Sequence, residues 1–104
     1  MPTYILMSHL TDEGRKTLAE RPERLGEVNR EVEAMGARIR AQYAVLGGFS
    51  FVNVIEAPSN EAILNISIEL GARGTIRIET LPALGITTFV DLLMGKSPAT
   101  VPGA

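Results

Sequence analysis

The chain has 104 residues, a formal net charge of −2 at pH 7 and no cysteine. This length fits one domain with a single core, while the lack of cysteine excludes disulfides and cysteine-ligated zinc, and the slightly acidic balance argues against a nucleic-acid-binding surface. Because no apolar run approaches the ~20 residues of a membrane span and no signal peptide is evident, the sequence predicts a soluble cytoplasmic protein.

The first part of the chain predicts one strand and two helices. Residues 3–10 are mostly apolar and β-favouring, which predicts a strand. Thr11 precedes two acidic residues and predicts a helix N-cap, and Pro22 interrupts that helix, so that a second helix begins there. The second helix has apolar residues at three- and four-residue spacing, which predict one buried stripe: Leu25, Val28, Val32 and Met35.

Two strands and a third helix follow. Residues 38–46 and 49–57 predict the second and third strands. Gly47-Gly48 between them fits a two-residue hairpin turn, since such turns need positive φ angles. Pro58-Ser59 ends the third strand and caps a helix over about residues 60–70.

The remaining segments complete one domain. Residues 75–81 alternate between apolar and polar side chains, which predicts a strand with one buried face, and residues 87–93 predict a short C-terminal helix. We expect a single domain over residues 1–95 and a flexible tail over 96–104. The order strand, helix, strand, strand, helix, strand is that of the ferredoxin-like α+β fold, an antiparallel sheet with strand order 4-1-3-2 and its helices on one face.

The two strands predicted at the centre of this sheet are apolar on both faces. The last strand alternates cleanly, and its Ile76 and Ile78 are expected to face the helices. On the central strands, the large side chains of the open face leave about 6–12 kcal/mol of burial unused in a monomer, and apolar patches of this size usually mark an interface. The sequence therefore predicts a homodimer, or a higher homo-oligomer, formed through the open sheet face.

Several segments, taken in order, are similar to one known family: residues 1–6, 22–24, 41–47, 52–58 and 73–81. Together they resemble the GYD domain family. The resemblance implies a ferredoxin-like fold of the dimeric α+β barrel type, which agrees with the open-face argument. It implies no single activity, because related barrels include monooxygenases, isomerases, haem-binding proteins and ligand-sensing modules.

The Gly-x-Tyr-Asp signature of that family is altered in this chain. Aligned on Gly47, the tyrosine position holds Phe49 and the aspartate position holds Ser50. A phenol hydroxyl and a carboxylate are both missing, so the resemblance does not support a role that needs this acid.

Four polar residues are candidates for a ligand or catalytic site. His9, the single histidine, would be a general base or simply a hydrogen-bonded residue at a strand end. Asn53 would orient a ligand or bond within the sheet or the interface. Tyr43 would be a further ligand contact, and Arg77 would bind an anionic group or form salt bridges across a dimer. With one histidine and no cofactor motif, the sequence predicts neither a metal nor a cofactor.

Three functions are consistent with these residues. The first is a homodimeric barrel that binds a small apolar molecule, with Tyr43, Asn53 and His9 as polar contacts. The second is a cofactor-free monooxygenase or isomerase in which His9 is the base and Asn53 or Arg77 orients the substrate. The third is a structural self-assembly module, for which the apolar sheet face is the whole function. A cavity above about 300 Å³ that reaches His9 or Asn53 would favour the first two.

Overall fold

A four-stranded antiparallel sheet lies at the centre of the computed structural model, which describes residues 1–95. The strands lie in the order second, third, first, fourth, as predicted, and each is antiparallel to its neighbours. The ferredoxin-like α+β fold is thereby confirmed, while the tail predicted at 96–104 lies outside the described residues. The elements are β1 (Thr3–Leu10), α1 (Asp12–Glu20), α2 (Arg24–Ala34), β2 (Arg38–Ala44), β3 (Phe51–Glu56), α3 (Asn60–Gly71), β4 (Ile76–Ala83) and α4 (Ile86–Leu93).

Hydroxyl side chains cap the starts of α1 and α3, as predicted. Thr11 Oγ1 accepts a hydrogen bond from the Gly14 N–H at 3.1 Å, and Ser59 Oγ accepts one from the Ala62 N–H at 3.1 Å. Each bond satisfies one of the N–H groups that a helix leaves unpaired in its first turn. Pro22 lies between α1 and α2, where its ring and its missing N–H divide the helical region in two.

The core lies between one face of the sheet and helices α2 and α3. Alternate residues of each strand point into it, and α3 contributes three residues at helical spacing. Ile76 and Ile78 pack against this cluster, so the expected orientation of β4 is confirmed. The buried apolar residues are Tyr4, Leu6, Val32, Ala37, Ile55, Ala57, Ile63, Ile66 and Leu70.

The opposite face of the sheet is apolar at its centre, and we call it the open face. Ile5 pairs with Val54, and Met7 pairs with Val52, across β1 and β3. All four side chains are partly exposed. The prediction that the central strands are apolar on both faces is therefore confirmed, while the homodimer that it implies stays a prediction.

Helix α4 adds a second exposed apolar surface, at the position where the sequence predicts a short C-terminal helix. Ile86, Phe89 and Leu93 are 74%, 46% and 72% exposed, and no residue of α4 is buried. Within residues 1–95, no helix is both long enough and apolar enough to span a membrane.

The connection between β2 and β3 is longer than predicted. The paired strands end at Ala44 and Phe51, so residues 45–50 form the connection, and the predicted two-residue turn at Gly47-Gly48 is wrong in its length. Gly47 has a φ angle of +122°, a conformation that glycine adopts without the steric cost other residues meet.

Residues 49 and 50 contact the end of β1, and residue 50 also keeps one backbone hydrogen bond across the connection, from the Val45 N–H to the Ser50 carbonyl at 3.0 Å. The Ser50 N–H donates to the Ser8 carbonyl at 2.8 Å, and Ser50 Oγ accepts from the Leu10 N–H at 3.1 Å. The Phe49 ring packs on the His9 ring, with the two centroids 4.4 Å apart. The two positions of the altered signature thus fasten the connection to the end of β1.

Candidate functional site

A cavity of about 300 Å³ lies between the core-facing side of the sheet and the helices α1 and α2. All four strands contribute to one wall, and both helices contribute to the other. This volume is at the lower end of the range for small-molecule sites. Most of the lining is apolar and includes Leu6, Leu18, Leu25, Val28, Phe51 and Ile78.

A chain of three amide side chains crosses the cavity wall. Asn29 of α2 and Gln42 of β2 exchange two hydrogen bonds of 2.8 and 3.1 Å. Gln42 Nε2 also donates to Asn53 Oδ1 at 2.8 Å, and Asn53 Nδ2 donates to the Leu6 carbonyl at 3.1 Å. Because the amides bond to one another and to the backbone, they hold α2 against the sheet. Asn53 therefore bonds within the fold and also lines the cavity.

Ser8 is a polar residue of the cavity whose hydroxyl has no partner within residues 1–95. Its side chain points from β1 to the core side of the sheet and is 5% exposed. It lines the cavity, and within residues 1–95 its hydroxyl makes no hydrogen bond. The hydroxyl is thus a donor and an acceptor that faces the cavity.

Two arginines stand at the rim of the cavity, each held by a glutamate. Arg24 Nη1 lies 3.1 Å from Glu27 Oε1 and 3.2 Å from Glu31 Oε2, and Arg73 Nη1 lies 2.6 Å from Glu31 Oε1. The hydrogen bond from Arg73, with the further charge of Arg24, holds the pKa of Glu31 below its usual value. The hydrogen bond from Arg24 likewise lowers the pKa of Glu27. These pairs join α2 to the segment that follows α3.

Three of the four candidate residues lie away from this cavity, on the open face. His9 is opposite Arg77 in the β1–β4 register, and Tyr43 is opposite Val52 in the β2–β3 register. Residues that face each other in this way project from the same side of the sheet. The structure brings only Asn53 to the cavity, and the roles of all four stay predictions.

Five of the polar residues that line the cavity are not among the sequence candidates. Three of them could have been predicted from the sequence. Ser8 and Gln42 each place a polar group on the inward face of a strand, and Asn29 adjoins the apolar stripe of α2. Arg24 and Arg73 could not have been predicted, since only the fold brings them together. Within the described part of the chain, no three His, Asp or Glu side chains are grouped so that they could hold a metal ion.

Known proteins resemble this chain along most of its length. The model of the GYD domain matches residues 4–93. A protein of Thermus thermophilus named glutamine synthetase and cystathionine beta-lyase binding protein is 44% identical over 94 residues, which cover 89% of this chain and 99% of that protein. The family match begins one residue into β1 and ends at the last residue of α4, so it covers almost all of the helices and strands. The chain therefore belongs to the GYD domain family.

Proposed function

We propose that the protein is a homodimer that binds a small, mostly apolar molecule in the cavity between sheet and helices. The observation that carries this proposal is the cavity of about 300 Å³. Protein interiors are close-packed and contain few voids larger than a water molecule. A space of this size favours a protein that binds a small molecule over a purely structural assembly module.

The Ser8 hydroxyl supports a ligand with at least one polar group. The hydroxyl makes no hydrogen bond within residues 1–95, and it is not sealed off from the cavity, since no buried side-chain oxygen or nitrogen of these residues lacks a partner. A ligand atom in the cavity could therefore bond to it without breaking an existing hydrogen bond. We therefore expect a largely apolar molecule with a hydrogen-bonding group near Ser8.

The composition of the lining supports binding over catalysis. Among residues 1–95, the side chains that line the cavity include no His, Asp, Glu, Lys, Tyr or Cys, which are the usual groups for proton transfer. His9, the base of the enzymatic alternative, is on the open face beside Phe49. An enzyme that used His9 would have to bind its substrate there and not in the cavity.

Thermal unfolding with 1-octanol as the probe tests the binding proposal. A molecule that binds only the folded state raises the midpoint Tm, so we expect Tm to rise with octanol and then level off. Val28→Phe fills part of the cavity and should abolish the rise while unfolding stays cooperative. Leu64→Phe, at a position 58% exposed on α3, is the matched control and should respond like the wild type. An equal rise in Val28→Phe would refute binding in the cavity.

The open face supports the homodimer. An antiparallel sheet with one solvated face normally shows polar residues there, whereas the centre of this face holds Ile5, Met7, Val52 and Val54. A two-fold axis through the face would place the same apolar patch of each copy against the other. The second copy is therefore the occupant we propose for this face.

A second function, the binding of other enzymes, is supported by the Thermus relative. That protein is named for its binding of glutamine synthetase and cystathionine beta-lyase, and the identity of 44% extends over 99% of its length. We propose that this chain binds enzymes of these two kinds. Biolayer interferometry with each purified enzyme should show saturable binding, with serum albumin as the control. Responses no larger than that to albumin would overturn this proposal and leave small-molecule binding untouched.

A further inference from the structure

The cavity lining carries charge of one sign. Among residues 1–95, the charged side chains that line the cavity are Arg24 and Arg73, while their partners Glu27 and Glu31 are not part of the lining. The two arginine side chains are 30% and 29% exposed, which places them at the rim. A molecule in the cavity would thus meet two guanidinium groups and no carboxylate.

Each arginine keeps hydrogen-bond donors that its glutamate partners do not use. Arg24 bonds to Glu27 and Glu31 through Nη1 alone, and Arg73 bonds to Glu31 through Nη1 alone. A guanidinium presents five N–H groups in a planar fork that matches a carboxylate. The Nε and Nη2 groups of both arginines make no hydrogen bond within residues 1–95 and are oriented by ion pairs that already exist.

We propose that the bound molecule is a small apolar acid, whose apolar body lies in the cavity and whose carboxylate lies against Arg24 and Arg73. This inference rests on the proposed small-molecule function and narrows its ligand class. A cavity of about 300 Å³ holds a body on the order of ten non-hydrogen atoms. Glu31 contacts both arginines through Nη1, so its negative charge would repel a ligand carboxylate bound at their remaining donors.

Three probes with one alkyl chain separate an acid from a neutral or basic ligand. Isothermal titration calorimetry would compare octanoate, 1-octanol and octylamine. We expect octanoate to bind at least about tenfold more tightly than octanol, because hydrogen bonds to charged groups are the stronger ones. Octylamine should bind most weakly, since its ammonium group would lie beside like charges. Equal binding of octanoate and octanol overturns the acid ligand and leaves small-molecule binding standing, whereas binding of none of the three overturns both.

Substitutions at the rim should change octanoate binding in opposite directions. Arg24→Gln and Arg73→Gln should each weaken it about tenfold and leave octanol binding unchanged. Glu31→Gln removes the repelling charge but keeps an amide oxygen that can accept from the two arginines, and it should tighten octanoate binding. Arg30→Gln is the matched control and should change neither, because Arg30 is an exposed arginine of α2 that does not line the cavity and makes no ion pair within residues 1–95. Two results would overturn the proposal. The first is an equal loss of octanol binding in the two arginine variants, and the second is weaker octanoate binding in Glu31→Gln. Either would show that these rim residues affect binding only by stabilising the fold.

Discussion

Gly14 is the residue whose surroundings leave least space for a side chain. A Cβ atom at this position would lie 2.0 Å from the Thr75 carbonyl oxygen. The approach is close because the Thr11 N–H donates to that same oxygen at 3.0 Å, and Thr11 Oγ1 donates to the Gly74 carbonyl at 2.8 Å. These bonds hold the start of α1 against the segment before β4, on the wall of the cavity.

We predict that Gly14→Ala destabilises the protein by about 1–3 kcal/mol, the usual cost of overpacking a filled site. Urea unfolding measures the change in the free energy of unfolding. Gly26→Ala is the matched control, because a Cβ atom at this position in the first turn of α2 would meet only the flexible end of Arg30, at 3.6 Å. There alanine should stabilise the helix by up to about 1 kcal/mol. Equal stability of Gly14→Ala and the wild type would show that α1 moves away from Thr75 without cost.

Single residues also show how far the sequence predicts the site. Asn53 can be recognised from the sequence because an amide in an apolar strand must find a partner, and the same reasoning applies to Ser8 and Gln42. The sequence does not single out the two rim arginines, because Arg24 lies among many charged residues of a solvated helix face and Arg73 lies 49 positions further along the chain. Their relation exists only when α2 and the end of α3 pack on the same sheet.

At the scale of elements, local signals predict most helices and strands, and tertiary bonds account for the main difference. Hydrophobic spacing, the caps at Thr11 and Ser59 and the break at Pro22 are local, so they are readable in the sequence. The length of the β2–β3 connection is not, because Ser50 also bonds to β1, which lies about forty residues earlier in the chain. Two glycines predict a two-residue turn only when the residues directly beside them bond to each other, whereas the bond nearest this turn joins Val45 to Ser50.

The ion pairs that connect α2 to the end of α3 predict a loss of stability in acid. The pKa of Glu31 is lowered in the folded state by Arg73 and then Arg24. A lowered carboxyl pKa contributes stability above the unfolded-state pKa of about 4.5, and this contribution is lost as the pH falls through the folded-state value. We expect the free energy of unfolding to fall less steeply below about pH 4.5 in Glu31→Gln than in the wild type.

Urea unfolding at a series of pH values measures this difference. Glu69→Gln is the matched control, since Glu69 is an exposed carboxylate of α3 that makes no ion pair within residues 1–95. Its pH curve should run parallel to that of the wild type. If the pH curve of Glu31→Gln also runs parallel to that of the wild type, then Arg73 and Arg24 do not lower the pKa of Glu31 in solution.

At the scale of the whole molecule, the two faces of one sheet would serve two separate purposes. The cavity lies on the face that carries α1 and α2, and the proposed dimer uses the other face. Each copy of a dimer formed in this way keeps a complete cavity of its own. Ligand affinity should then not depend on protein concentration, because neither face needs residues of the other.

Sedimentation of two charge variants tests the dimer that the open face predicts. We expect the wild type to sediment as a dimer at micromolar concentration. Val52→Lys places an ammonium group between the two apolar patches, where an unpaired charge costs about 3 kcal/mol or more, so its dimer should be weaker by roughly a hundredfold or more. Ile68→Lys is the matched control, because this α3 side chain is 64% exposed on the helix side of the sheet, and the variant should remain dimeric. The open face would be excluded as the interface if the wild type sediments as a monomer, or if Val52→Lys is as dimeric as Ile68→Lys. The apolar residues at the centre of that face would then need another partner.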